Sequence, residues 1–191
     1  MGYEFEMKYA STPAQQQKIT AAMGDAFDLF NMETTYYDPP SGALSARRWT
    51  LRRRYENGNP TCTLKTPGGK LGRGEWDCPA ERIEDAVSEL ARLSGCTELT
   101  ELASHGLVAI CGARFQRKAY TVSRGESLLE VAVDSGVLFG GNREAPICEV
   151  EVELKKGSPE DALSYAADLA KRFGLTAEPK SKFRRALQLT K

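Results

Sequence analysis

A chain of 191 residues with ordinary apolar and charged fractions fits one globular domain and is long enough to bury a true core. Lys plus Arg and Asp plus Glu number 26 each, so net charge gives no pull toward nucleic acid or an anionic membrane, and no apolar run approaches the ~20 residues of a membrane-crossing helix. The five cysteines, Cys62, Cys78, Cys96, Cys111 and Cys148, are dispersed and never spaced as C-x-x-C, which speaks against a disulfide framework or zinc site; without a basic and apolar leader, a cytoplasmic protein with reduced thiols is expected.

The first predicted strand, residues 2–9, alternates strictly, with Glu4, Glu6 and Lys8 on one side and Tyr3, Phe5, Met7 and Tyr9 on the other. Ser11-Thr12-Pro13-Ala14 reads as a helix start, and Ile19, Ala22, Met23 and Ala26 give that helix a weak apolar face up to Gly24. Residues 31–38, rich in Thr and Tyr, read as a strand halted by Pro39-Pro40 and Ser41-Gly42. A strand over about residues 47–55 and its partner over 61–65 flank Asn57-Gly58-Asn59, a hairpin signal. Parity places Arg48, Thr50, Arg52 and Arg54 on one face of that hairpin with Thr61, Thr63 and Lys65; Arg53, on the opposite face, is expected to be exposed. A glycine-rich loop over 67–74 leads into a short strand in which Arg73, Glu75 and Asp77 are spaced by two.

The helical period runs over residues 80–93 with Gly95 as its stop, and a shorter helix is expected over 97–104. Strands return over 107–122, with a bend near Gly112, and over 127–134, where Glu130 and Asp134 share a face before an expected turn at Ser135-Gly136. Residues 146–156 repeat the opening pattern as Glu149-Val150-Glu151-Val152-Glu153-Leu154-Lys155. Ser158-Pro159-Glu160 starts a helix that ends at Gly174, and one more helical turn is expected in the tail, residues 180–191.

The fold class that follows is α+β: a single domain, residues 1–191, built on a closed eight-stranded antiparallel β-barrel with helices packed outside. Helices on the apolar faces turn the charged faces inward. Charge alternation on one strand is more often a solvated face, but its repetition on several strands, with both signs, favours a charged lumen. Such a lumen must be wet, internally paired or built around a ligand. Alternate acids suit hard divalent cations such as Mg²⁺ or Mn²⁺, and clustered Arg and Lys suit phosphate oxygens, so a polyphosphate with its metal ions answers both. His105, the only histidine, has no triad partners near it, and residues 68–72 lack the spacing of a phosphate loop.

Several short patterns occur in order along the chain: Glu4-Phe5-Glu6-Met7-Lys8, Tyr36-Tyr37-Asp38-Pro39, Leu51-Arg52-Arg53-Arg54, Thr63-Leu64-Lys65, Arg73-Gly74-Glu75-Trp76-Asp77, Arg117, Asp134 before Gly136, Glu149 to Lys155, and Ser181-Lys182 with Arg185. Together they resemble the CYTH, or triphosphate tunnel metalloenzyme, superfamily, with Pro39 in place of the usual threonine and Phe115 where many members carry a basic residue. The resemblance is strongest to bacterial inorganic triphosphatases. It implies a tunnel that binds a triphosphate lengthwise, with Glu4, Glu6, Glu151, Glu153 and Asp134 as metal ligands and Glu75, Asp77 and Glu149 as ligands or supporting acids. It likewise implies that Lys8, Arg52, Arg54, Lys65, Arg73, Arg117, Lys182 and Arg185 bind substrate, and that Glu6, Glu151, Lys8 and Arg52 stand at the chemistry. The activity it implies is metal-dependent hydrolysis of inorganic triphosphate to pyrophosphate and phosphate, using Mg²⁺ or Mn²⁺. Thiamine or nucleoside triphosphate hydrolysis, a class IV-type adenylyl cyclase and a non-catalytic polyphosphate-binding module are the alternatives. A small-molecule polyphosphate is the expected partner, with no nucleic acid or membrane, and the sequence carries no sign of oligomeric state.

Overall fold

The computed structural model describes residues 2–67 and 73–191, the side chains of residues 2–4 and 73 excepted. The chain opens with β1 (Gly2–Glu4) and β2 (Glu6–Ala10), one extended stretch divided at Phe5, then α1 (Pro13–Met23), β3 (Asp28–Asp38) and α2 (Ala43–Ala46). The hairpin β4 (Thr50–Glu56) and β5 (Asn59–Thr66) is followed by β6 (Arg73–Cys78), α3 (Ile83–Ser94) and α4 (Glu98–Ser104). Three long strands, β7 (Val108–Arg124), β8 (Ser127–Gly140) and β9 (Arg143–Lys156), precede α5 (Pro159–Phe173), β10 (Thr176–Ala177) and α6 (Lys182–Gln188).

All pairings are antiparallel, in the order β1-β6-β5-β4-β3-β7-β8-β9-β2-β10. Because β1 pairs with β6 at one edge and β2 pairs with β9 at the other, the wall comes round on itself through the chain at Phe5. Neither half of this opening stretch is bonded to both edges, so the ladder is not a continuous ring and the barrel is approximate. The eight expected strands are all present, the first divided, with two-residue β10 added beside β2.

Local chemistry accounts for the element ends. Thr12 and Gln15 form a capping box on α1: the Gln15 amide N–H donates to the Thr12 hydroxyl at 3.2 Å, and the Thr12 N–H donates to Gln15 Oε1 at 2.7 Å. Asn57 (φ 49°) and Gly58 (φ 84°) both adopt left-handed backbone, as a two-residue turn of the twist-matched kind requires. The strand expected from residue 47 starts only at Thr50, because α2 intervenes. Its first amides, Leu44 and Ser45, donate to the Asp38 carboxylate at 2.9 and 3.0 Å.

The turn expected at Ser135-Gly136 is absent. β8 runs straight through to Gly140, and the turn comes at Gly141-Asn142. Gly136 faces Phe115 across the ladder, and a Cβ there would lie 2.2 Å from the Arg114 carbonyl oxygen, so the glycine serves close strand approach rather than reversal. Arg53 is half-buried rather than exposed: it donates to the Glu81 carbonyl at 3.1 Å and lies over the Tyr55 ring.

Three apolar clusters flank the polar interior. α1 and α5 cover the outer faces of β2, β8 and β9 through Ile19, Ala166 and Leu169 against Val131, Val133, Val150 and Val152. On the other side α2, α3 and α4 cover β4 to β6, with Leu44, Leu90 and Leu99 against Leu51, Cys62 and Leu64. The third cluster gathers Met32, Tyr36, Phe115, Leu138 and Ile147 under Ala186 of α6. Among the described residues the five cysteines are free thiols, and no helix is long and apolar enough to cross a membrane.

Candidate active site

Strand parity delivers the charged residues to one interior. Along β2 and β9 the register sets Glu6 opposite Glu153 and Lys8 opposite Glu151, while β8 sets Glu130 beside Glu153 and Asp134 beside Glu149. β7 adds Arg117 opposite Asp134, and β4 adds Arg52 and Arg54 opposite Thr63 and Thr61 of β5. The outward partners of these residues are the valines and leucines that bind the helices, so each helix that packs outside directs charge inside.

Helix α6 completes the site from the C-terminal end. Lys182 Nζ lies 2.7 Å from Asp134, 2.6 Å from Glu149 and 2.7 Å from Glu151. Arg117 holds both oxygens of Asp134 at 2.8 Å and also pairs with Glu151, and Arg185 pairs with Glu149. Three buried carboxylates are therefore matched by three cations. Burial alone would push the Glu151 carboxyl up, but the Lys182 and Arg117 charges, a hydrogen bond from Lys182 and nearby Lys8 hold it well below the usual carboxylate range. The same contacts raise Lys182 and Arg117 against the opposing effect of their own burial.

Across the interior, Arg52 and Lys65 both reach Glu75, at 3.1 and 3.0 Å. Arg54 is set deep in the wall. Its Nε donates to the Thr34 hydroxyl at 3.0 Å, and no carboxylate among the described residues lies within ion-pair distance. Burial, with Arg52 beside it, lowers its pKa to about 10, so it stays charged at neutral pH. Burial also lowers Lys8, in spite of Glu151 and Glu6 nearby. A cavity of about 100 Å³ opens between these groups, lined by Glu6, Lys8, Arg52, Arg54, Lys65, Arg117, Glu151, Glu153 and Lys182, with Tyr36, Thr50, Ser181 and Phe183.

Most of the residues singled out in the sequence thus meet in one place. Asp134 lies behind the cavity with both oxygens engaged, and Arg185 sits between Glu149 and Glu178. The side chains of Glu4 and Arg73 lie outside the described ones. Glu149, expected as a ligand or a supporting acid, is fully buried as an anchor for Lys182 and Arg185. One support escaped the sequence reading: Gln16 of α1 donates to the backbone carbonyls of Asp134 and Glu149 at 2.8 and 3.2 Å. A glutamine on an otherwise apolar helix face was the one signal for it.

The CYTH domain family matches residues 2–187. The chain belongs to the CYTH domain family. The inorganic triphosphatase of Haemophilus influenzae is 34% identical over 175 residues, covering 87% of this chain and 49% of that protein. The chain therefore spans about half the length of this curated relative. Among solved structures, HpAC1 from Hippeastrum, whose structure was reported with a dominant triphosphatase activity, superposes with a TM-score of 0.67 at 17% identity, covering 97% and 95% of the two chains. A Pyrococcus horikoshii OT3 protein superposes with a TM-score of 0.63 at 20% identity, covering 97% and 99%. These likenesses show the tunnel fold of a CYTH domain.

Proposed function

We propose that this CYTH domain is a divalent-metal-dependent triphosphatase that cleaves inorganic triphosphate to pyrophosphate and phosphate. The observation that carries the reading is the cavity wall: Arg54, Lys8, Arg52, Lys65 and Lys182 converge on a space too polar for an apolar ligand, and Arg54 faces it with no carboxylate partner among the described residues. Desolvated cations held this way favour a multiply charged anion. The Haemophilus relative's description as an inorganic triphosphatase supports the same substrate class.

The acids divide into two groups. Oxygens of Asp134, Glu149 and Glu151 lie within 4.8 Å of one another, close enough to hold a metal ion, but Lys182 Nζ already stands among them. Glu6, Glu153 and Glu130 form a row across three adjacent strands, where like charges side by side are costly unless a cation joins them. Lys155 reaches Glu153 and Glu130 at 2.9 and 3.5 Å. This oxygen-only set fits a hard divalent ion, and Glu6, Glu153 and Glu4 are the residues to hold it, with Glu151 beside them. A bound Mg²⁺ or Mn²⁺ would offset phosphate charge and polarise the phosphoryl group.

The chain's own groups supply the rest. Arg54, Arg52 and Lys65 hold phosphate oxygens along one wall, and Lys8, Lys182 and Arg117 meet them from the other. Glu151, kept ionised by its cations, is a weak proton acceptor, so it positions Lys182 and Arg117 rather than activating water. Glu6, exposed at the cavity mouth, is better placed to orient the attacking water. Phosphate release from inorganic triphosphate, ATP and thiamine triphosphate, each with Mg²⁺ or Mn²⁺, tests the reading. We expect release from inorganic triphosphate to exceed the other two; binding without release from any of them, or cyclic AMP from ATP, would overturn it.

A further inference from the structure

Phe115 stands on β7 between Met32 of β3 and Gly136 of β8. It is buried in the cluster that holds Met32, Tyr36 and Leu138, behind the residues that line the central cavity. The absence of a side chain at Gly136 makes room for it, since a Cβ there would lie 2.6 Å from Phe115 Cβ. Three cations that line the cavity lie over its ring: Lys182 Nζ is 5.0 Å, Arg117 Cζ 5.8 Å and Arg54 Cζ 5.9 Å from the centroid. They arrive from α6, β7 and β4, so one ring joins cations from both walls. Arg117, two residues on along β7, shares a strand face with Phe115. Every other ring that meets a cation in this way, among the described residues, holds one.

The face of an aromatic ring carries the negative part of its quadrupole, so it attracts a cation without cancelling its charge. That property matters where like charges converge. Arg52 and Arg117 disfavour the charged form of Arg54, and Arg117 does the same to Lys182. Lys182 and Arg117 have Asp134 and Glu151 to offset the repulsion. Arg54 has no such acid within ion-pair distance among the described residues; the Thr34 hydroxyl and the Phe115 ring hold it instead. A carboxylate in place of the ring would also hold the guanidinium, but would compete with a phosphate oxygen for it. The ring fixes the cation and leaves its charge for an incoming anion.

We propose that Phe115 is a positioning residue for the anion site: its ring face gathers Arg54, Arg117 and Lys182 before the ligand arrives and leaves their charge for phosphate oxygens. The proposal rests on the anion-binding part of the triphosphatase reading but is tested separately from hydrolysis. Replacing Phe115 by mono-, di- and trifluorophenylalanine withdraws charge from the ring face step by step while keeping its shape and apolar character. Calorimetric titration with tripolyphosphate in EDTA measures binding without turnover; phosphate release with Mg²⁺ measures turnover. Affinity should fall with each added fluorine, to about tenfold weaker in the trifluorinated protein, because cations no longer gathered by the ring must be brought together by the anion. Phe115→Leu, which removes the ring face altogether, should bind at least as weakly. A purely structural role in packing would leave affinity level across the fluorinated series, and that result would overturn the proposal. Tighter binding with added fluorine would overturn it too, since the ring would then be competing with the anion for the cations. A stepwise loss of affinity in a protein that releases no phosphate would remove the triphosphatase reading and leave the role of Phe115 standing.

Discussion

Replacing Lys182 by Met keeps most of the side chain's volume and removes one charge from the centre of the acid cluster. The ammonium lies 2.6–2.7 Å from three carboxylates, all of them buried. Arg117 and Arg185 remain, so two cations face three acids and one negative charge is left uncompensated. Leaving a buried ion without its partner costs about 3–5 kcal/mol. At about 2–4 °C per kcal/mol for a domain of this size, the melting temperature at pH 8 should fall by roughly 6–20 °C. The pH dependence distinguishes a charge effect from a packing effect. In the unmodified protein the Glu151 carboxyl is depressed, so its contribution is fully present above the unfolded value of about 4.3 and is lost only as pH falls through the lower folded value. Between pH 8 and pH 5 that contribution is constant. In Lys182→Met the cluster can shed its excess charge by binding a proton, so the variant should gain stability relative to the unmodified protein as pH falls from 8 to 5. Thermal unfolding at three pH values in that interval measures the gap. A gap that stays the same at every pH, or one below about 1 kcal/mol, would refute the assignment of Lys182 as the neutralising centre of these acids.

Three other substitutions address separate parts of the reading. Glu4→Gln combined with Glu6→Gln should abolish metal-dependent phosphate release while the protein still folds, as thermal unfolding would show; unchanged turnover would remove the metal assignment. Arg54→Ala should lower kcat/KM for inorganic triphosphate by roughly 10- to 100-fold, the loss of one strong charge-assisted contact of about 1.5–3 kcal/mol, with little loss of stability because no carboxylate among the described residues is orphaned. Equal loss of stability and activity would mean that Arg54 holds the wall rather than the anion. Gly136→Ala should destabilise by about 1–3 kcal/mol in urea unfolding, because its Cβ would press on the Arg114 carbonyl across the ladder. A neutral outcome would favour a turn at that position after all.

Much of the site was legible because the strand repeat is two residues and admits few alternatives. Once Leu51, Leu64, Val150 and Val152 are assigned to the apolar outside, Arg52, Lys65, Glu149 and Glu151 have no face left but the inside. The caps of α1 and α5 and the Asn57-Gly58 turn were equally plain, since each depends on contacts within a few residues. Short-range chemistry misled in two places. Ser135-Gly136 has the composition of a turn, but the demand for a glycine there comes from Arg114 and Phe115 of the neighbouring strand β7, remote in sequence. Residues 47–49 alternate like a strand, yet the Asp38 carboxylate captures the amides of Leu44 and Ser45 and delays the strand to Thr50.

By itself, then, the sequence determined which side chains face the tunnel, how many strands build it, and that the interior mixes acids with cations. It could not assign partners to those charges, because pairing inside the lumen depends on distances across the barrel and on where α6 docks. Only the tertiary structure placed Lys182 among Asp134, Glu149 and Glu151, so that the tightest group of acids holds an ammonium. The same docking left Arg54 facing the cavity with Thr34 as its side-chain partner. Parity is a property of a single strand, whereas charge compensation in a low-dielectric interior is a property of all the elements that close it.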